Sequence, residues 1–165
     1  MGLITSETEI TTAIPAARLF KAFVTDGDTL IPKIAPQAFK SFGILEGDGG
    51  PGTIKQIQMG QAGQFKILKE KVEAIDKDNL VYEYSVIEGE DVLLDLFDKV
   101  TYKVKFVPDD DSSSSGGGSI AKTSRTYYTK GGDKVIKEEF IKEGNDRALV
   151  MFKAVEAYLM EHPDA

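Results

Sequence analysis

The longest regular pattern of apolar and polar positions spans residues 133–162 and predicts a long C-terminal α-helix. Its apolar positions recur at helical spacing and fall at Ile141, Ala148, Phe152, Val155 and Leu159. Asp133 follows two glycines and suits the N-cap, whereas Pro163 cannot continue the helix. The second half carries further apolar or aromatic residues at Leu149, Val150, Met151 and Tyr158. We therefore predict that this half is buried around most of its circumference and that the first half is partly exposed.

Alternating and β-branched residues predict seven strands before this helix. The first covers residues 3–12, and the others cover 39–45, 53–59, 65–75, 80–88, 92–107 and 119–128. Between the first two strands, Pro15 suits the start of a short helix that ends near Asp26. Asp28 suits the cap of a second short helix, which either Pro32 or Pro36 would bound.

This order of elements predicts an α+β fold in a single domain over residues 1–165. Short links between strands favour an antiparallel meander. The economical packing is a seven-stranded curved antiparallel sheet around a long C-terminal helix, with two short helices after the first strand. Such a sheet has more concave area than one helix fills, so it predicts an internal ligand cavity. Residues 108–118 are rich in Asp, Ser and Gly, which predicts a solvated loop.

Composition narrows the function classes. The chain has a net charge of -7 and a pI near 4.8, which disfavours nucleic acid and anionic membranes as partners because both reward clustered Lys and Arg. The absence of cysteine excludes a disulfide framework and a Cys-ligated metal site. The N-terminal residues lack the pattern of a signal peptide, and no apolar run is long enough to span a bilayer. We expect a cytoplasmic protein that has no membrane partner and is mostly a monomer.

Residues that usually carry catalysis are sparse. The stretch 47–52 has the glycine spacing of a phosphate-binding loop, but Thr53 stands where that loop needs Lys and a strand follows where it needs a helix, so a tight turn explains it better. The single histidine, His162, ends the last helix, and we predict no metal and no cofactor. Lys55, Glu156 and Tyr158 are titratable and informatively placed, although surface charge and helix packing also explain them.

Four separated stretches resemble one known family in the right order. They are IPAARLFKAF at 14–23, EGDGGPGTIK at 46–55, YSVIEG at 84–89 and AVEAYL at 154–159. Over essentially its whole length the sequence resembles the birch pollen major allergen family, the plant class-10 pathogenesis-related proteins. The resemblance implies the helix-grip, START-like fold predicted above and an intracellular defence-related protein. It also implies an internal hydrophobic cavity that binds and carries or senses small amphipathic plant metabolites, such as flavonoids, cytokinins, steroids or fatty acids, and a pollen or food allergen.

The resemblance, mapped by motif and strand parity, also implies which residues line the cavity. They are Phe23, Asp28, Leu30, Phe39, Ile57, Met59, Phe65, Ile67, Tyr82, Tyr84, Val100, Tyr102, Val104, Tyr127, Phe140, Gly144 and Ala148. Tyrosines suit such a wall because each offers an apolar body and one orienting hydroxyl. A side chain at Gly144 would intrude on the cavity.

A ribonuclease activity is also claimed for the family, and by motif it would fall on Lys55, Glu156 and Tyr158. Ribonuclease, or an enzyme acting on a plant secondary metabolite, is thus the alternative to a pure binding protein. The sequence departs from the family in its longer loop at 109–118 and at Tyr128, where a histidine is common. The missing histidine weakens any acid–base proposal that depends on it. The residues do not name the physiological ligand.

Overall fold

Seven antiparallel strands form one sheet in the computed structural model, which describes residues 2–60, 66–89, 97–109, 118–130 and 138–163. The strands are β1 (Gly2–Thr12), β2 (Phe39–Glu46), β3 (Ile54–Met59), β4 (Lys66–Asp76), β5 (Val81–Gly89), β6 (Phe97–Pro108) and β7 (Ser119–Thr129). Their order in the sheet is β1-β7-β6-β5-β4-β3-β2. The predicted meander is confirmed from β2 to β7, and β1 closes the far edge by pairing with β7 along its whole length.

Register shifts curve the sheet. They occur twice between β2 and β3, twice between β4 and β5, and once between β6 and β7, where one strand carries an extra residue. Such bulges bend the strand and increase its twist. The sheet can therefore wrap around a helix instead of lying flat, as the predicted fold class requires.

Two short helices connect β1 to β2. The first, α1 (Ala16–Phe20), runs directly into a π-helical turn over Lys21–Thr25, and α2 follows at Gly27–Ile34. The prediction that Asp28 caps α2 is wrong, because the π-helical turn ends with the Asp26 N–H on the Lys21 carbonyl and makes Asp26 the N-cap. Pro32 lies inside α2, so of the two candidate prolines only Pro36 marks the boundary.

The long helix α3 (Glu138–Glu161) lies across the concave face of the sheet. Its predicted stripe is confirmed at Phe152, Val155 and Leu159, which are all buried. The prediction that most of the circumference is buried is wrong, since Leu149 is 41% and Val150 is 71% exposed. The reason is that α3 lays a single face on the sheet. The predicted cap Asp133 lies outside the described residues.

Three apolar clusters lie on the concave side of the sheet, and two of them include residues of α3. The largest joins α1, the π-helical turn and the second half of α3 to β6 and β7, and in it Phe23 stacks between Phe106 and Phe152 at centroid distances of 5.9 and 5.7 Å. A second cluster is centred on β3, β4 and β5, and the third joins β6 and β7 to Ile141 of α3. No helix in the described parts of the chain is long and apolar enough to cross a membrane.

Candidate functional site

A row of polar and aromatic side chains crosses the concave face between the apolar clusters. We call it the polar band, and its members are Asp28, Lys55, Glu70, Tyr82, Tyr84, Tyr102 and Arg125. Strand register assembles it, because Lys55 pairs with Glu70, Tyr84 pairs with Tyr102 and Tyr102 pairs with Arg125 across neighbouring strands. Residues that face each other across strands on one side of a sheet are close enough to interact.

One end of the polar band is an ion pair. Lys55 Nζ donates to Asp28 Oδ1 at 2.9 Å, and the Lys55 side chain is only 9% exposed. Asp28 can make this contact because it lies in the first turn of α2, whose N-terminal end faces β3. A buried lysine requires such a partner, since an isolated charge is costly to remove from water.

Glu70 is the buried acid of the polar band. It is 8% exposed, and the hydroxyl of Tyr82 donates to its Oε1 at 3.4 Å. Burial raises the pKa of Glu70 to about 7, against the lowering effect of Lys55 and with the help of the Asp28 charge. Near neutral pH this carboxyl can therefore act as a donor or as an acceptor.

Three tyrosine rings continue the polar band. The centroids of Tyr82 and Tyr84 are 5.0 Å apart, and Tyr84 stacks on Tyr102 at 4.8 Å. Burial raises the pKa of Tyr82 and of Tyr84 well above the usual value for tyrosine. Both hydroxyls consequently stay protonated at any physiological pH. The Tyr82 hydroxyl already donates to Glu70, so the Tyr84 hydroxyl is the one that can donate a hydrogen bond to a ligand.

Arg125 ends the polar band beneath α3. The residue is 7% exposed, and its guanidinium carbon lies 5.4 Å from the centre of the Tyr102 ring. A Cβ added to Gly144 would lie 3.3 Å from Arg125 Nη1 and 3.9 Å from the Tyr127 hydroxyl oxygen. Gly144 therefore faces the sheet and makes room for the arginine, and its place on a cavity wall stays a prediction.

Comparison with known proteins identifies the family. The sequence profile of the Pathogenesis-related protein Bet v 1 family matches residues 1–162. The chain belongs to the Bet v 1 family. It is 52% identical over 167 residues to Major allergen Pru ar 1 of Prunus armeniaca, covering all of this chain and 99% of that protein. It is 52% identical over 165 residues to Major allergen Mal d 1 of Malus domestica, again covering 100% and 99%.

A solved structure agrees with this assignment. The crystal structure of Ara h 8.0201 superposes with a TM-score of 0.82 at 36% sequence identity, covering 98% of this chain and all of that one. The predicted seven-stranded sheet, long C-terminal helix and two short helices are thereby confirmed as the Bet v 1 fold. The resemblance inferred from four short stretches is confirmed as well.

Most residues predicted for the cavity wall of this Bet v 1 family member lie on the concave side. Those in the polar band or the apolar clusters are Phe23, Asp28, Leu30, Phe39, Ile57, Met59, Tyr82, Tyr84, Val100, Tyr102, Val104 and Tyr127. Ala148 is half-buried on the sheet-facing stripe of α3. Phe65 and the side chain of Phe140 lie outside the described residues.

The prediction that Ile67 lines the cavity is wrong. The residues of β4 that point inward are Leu68, Glu70 and Val72, all of them buried, so Ile67 lies on the opposite face of the strand. Sequence reasoning also missed Glu70 and Arg125 as members of the interior. A signal for Glu70 existed, because an acid that alternates with Leu68 and Val72 must share their buried face.

The suggested ribonuclease residues have separate partners. Lys55 is paired with Asp28, and Glu156 accepts a hydrogen bond from Thr12 on β1. The Tyr158 hydroxyl accepts from Lys33 of α2 at 3.3 Å. Glu156 and Tyr158 are two positions apart, and residues at that spacing do not share a helix face. The three side chains therefore do not share a hydrogen-bond network in the described structure.

Two open clefts lie outside the polar band. One, of about 290 Å³, is bounded by α1, α2 and the end of α3, where Leu30 and Tyr158 contribute to its wall. The other, of about 300 Å³, lies on β4 and β5 and is lined by Ile67, Lys69, Glu88 and Gly89. The predicted internal cavity stays a prediction. Among the described side chains, no group of three or more His, Asp or Glu could hold a metal ion.

The glycine-rich stretch between β2 and β3 is a backbone turn. Gly47, Gly49 and Gly52 have φ of +96°, +101° and +90°, which favours glycine. The N–H groups of Gly49 and Gly52 donate to Thr53 Oγ1 and to the Val72 carbonyl, at 2.9 and 2.7 Å. A phosphate-binding loop must aim such N–H groups at its ligand, and here the protein itself accepts from them.

Proposed function

We propose that this member of the Bet v 1 family binds small amphipathic plant metabolites on the concave side of its sheet and carries or senses them. Flavonoids, cytokinins, steroids and fatty acids are the candidate classes. The polar band is the observation that carries the proposal, because it places hydroxyls and charged groups among aromatic rings where an ordinary core would be apolar. Ligand sites combine an apolar surface with a few such polar groups.

The free-energy cost of burying the polar band supports the proposal that a ligand binds there. Burying a charged or polar group without full compensation destabilises a fold, so a chain selected only for stability gains nothing from Glu70 and Arg125 in its interior. The Tyr102 ring compensates the arginine only in part, and the Tyr82 hydroxyl lies 3.4 Å from Glu70. An amphipathic molecule that offers its own polar groups would complete these contacts.

The family suggests the biological setting. We propose a defence-related protein that works in the cytoplasm, mostly as a monomer. The relatives from Prunus armeniaca and Malus domestica are named major allergens. At 52% identity, antibodies raised against them should recognise this protein too. Blocking of serum binding by the purified chain would test that part of the proposal.

A second candidate function is an enzyme acting on a bound metabolite. The observation that favours it is Glu70, whose pKa of about 7 suits a general acid or base at cytoplasmic pH. Turnover of a bound metabolite that disappears in Glu70→Gln, while binding persists, would support this candidate. Binding without any turnover would support the carrier function and not the enzyme.

Direct recovery of the ligand tests the main proposal. The protein is purified from plant tissue under mild conditions, and the small molecules that accompany it are identified by mass spectrometry. A metabolite enriched over a purification of Ala148→Leu protein would support the site, because leucine there extends from the sheet-facing stripe of α3. Equal recovery with both proteins would place the ligand elsewhere.

A further inference from the structure

Arg125 is the one cation of the polar band that has no acidic partner within the described residues. Lys55 has Asp28 at 2.9 Å. The ion pairs formed by the described side chains include none to Arg125, although the residue is 7% exposed. Its Nε is buried and has no hydrogen-bond acceptor there. A buried cation in this state is strongly favoured to gain an anion.

A second incompletely bonded group lies next to Arg125. Asn145 of α3 donates from Nδ2 to Ser6 Oγ at 3.2 Å, but its Oδ1 is buried and accepts no hydrogen bond among the described residues. Ser6 is the β1 residue directly opposite Arg125 on β7. Within the described residues, an unpaired donor of Arg125 and an unpaired acceptor of Asn145 thus lie by the same pair of strands, β1 and β7.

From this geometry we infer that Arg125 binds the carboxylate of an amphipathic ligand whose apolar body lies along the tyrosines. The guanidinium offers the planar pair of donors that a carboxylate accepts best. The Tyr102 ring lies 5.4 Å from the guanidinium carbon on one side. Gly144 leaves room beside Nη1, because an added Cβ there would lie 3.3 Å from that atom. A hydroxyl on the ligand would suit Asn145 Oδ1.

This inference rests on the proposed function and narrows its substrate class to acids. Decanoate and 1-decanol are suitable probes, because they share the apolar chain and differ in the charged group. Their dissociation constants are measured by competition with an uncharged fluorescent apolar dye. The wild-type protein should bind decanoate at least about tenfold more tightly than decanol, as a charge-assisted hydrogen bond predicts.

Three variants separate charge from packing. Arg125→Met keeps an unbranched side chain and should reduce the preference for decanoate to about one. Arg125→Lys keeps the charge but loses the planar pair of donors, and it should retain part of the preference for decanoate. Lys122→Met is the matched control on the same strand, because Lys122 is exposed on the convex face and pairs with Glu9 at 3.6 Å. It should keep the full preference.

The Arg125 Nε–H signal in the NMR spectrum gives a readout that needs no variant. It should shift on addition of decanoate and much less on addition of decanol. The inference is overturned if decanol binds as tightly as decanoate, or if Arg125→Met keeps the wild-type preference, while the proposed function then survives. If neither probe binds and no dye is displaced, the inference is overturned, and a panel of flavonoids, cytokinins and steroids tested in the same competition assay decides the proposed function separately.

Discussion

Lys55 and Glu70 stand directly opposite each other on β3 and β4, yet Lys55 makes its 2.9 Å ion pair with Asp28. Glu70 is therefore buried beside a cation whose charge another carboxylate already partly neutralises. Desolvation outweighs the attraction to Lys55 and raises the pKa of Glu70 to about 7. This relationship makes the stability of the fold depend on pH near neutrality.

The first prediction concerns that dependence. Between about pH 4.5 and pH 7 the folded protein keeps a proton on Glu70 that the unfolded chain has released. The contribution of Glu70 to the free energy of unfolding therefore falls as the pH rises through this window. The loss is on the order of 3 kcal/mol. Urea unfolding at pH 5 and pH 8 should show that Glu70→Gln gains stability relative to wild type at the higher pH.

An exposed acid supplies the control for this experiment. Glu88 on β5 pairs with Lys69, and its side chain is 64% exposed, so Glu88→Gln should keep the wild-type pH profile. Lys55→Met should raise the pKa of Glu70 further, as followed by the side-chain carboxyl signal in NMR titration. A Glu70 signal that titrates near 4.5 would contradict the buried, poorly compensated acid.

The second prediction tests the turn at 47–52. A Cβ on Gly47 would lie 2.7 Å from Thr53 Oγ1 and 2.9 Å from its Cα, at a φ of +96°. Gly47→Ala should therefore destabilise the protein by about 1–2 kcal/mol or more. Gly43→Ala is the control, because nothing lies within 4 Å of its added Cβ and its φ is not in the left-handed region. The urea midpoint of unfolding is measured for both variants. Equal midpoints would refute the requirement for glycine at position 47.

The sequence predicted the fold well, because its signals are local and mutually consistent. Periodicity marked the strands, and Pro36 and Pro163 marked ends of helices. The face of each strand was harder, since one residue of error exchanges inside and outside. For this reason Ile67, and not its neighbour Leu68, was predicted to point inward on β4, a strand whose register shifts twice against β5. Strand alternation places Arg125 on the same face as Tyr127, but its contacts with Tyr102 and Gly144 could not be predicted because these residues come from distant segments.

The third prediction tests which face of α3 is buried. Phe152 is 5% exposed and stacks on Phe23, whereas Val150 is 71% exposed two positions earlier. Phe152→Ala should cost about 3–5 kcal/mol in the free energy of unfolding, and Val150→Ala should stay within about 0.5 kcal/mol. Chemical denaturation measures both. Similar losses in the two variants would mean that α3 is buried on both sides.

The fourth prediction concerns the hydroxyl of Tyr84. Because the pKa of Tyr84 is raised well above normal, its hydroxyl is a permanent donor within the polar band. Tyr84→Phe removes the donor and keeps the ring that stacks on Tyr102. If the hydroxyl bonds the ligand, the binding free energy should weaken by about 0.5–1.5 kcal/mol, as measured by calorimetry. Unchanged affinity would show that the ligand does not reach this hydroxyl.

The last prediction concerns the space beneath α3, on which the proposed function depends. A flavonoid or cytokinin that binds only the folded protein adds about 2.7 kcal/mol at a free concentration 100 times its dissociation constant. For a domain of this size the melting temperature should then rise by about 5–11 °C. Ala148→Leu should lose most of this rise while remaining folded, because the added carbons enter from the sheet-facing stripe of α3. Ala157→Leu should keep the rise, since Ala157 is exposed. A panel of amphipathic metabolites that gives no thermal shift would refute the binding function. If Ala148→Leu keeps the rise as fully as Ala157→Leu does, the ligand binds on the outer surface instead.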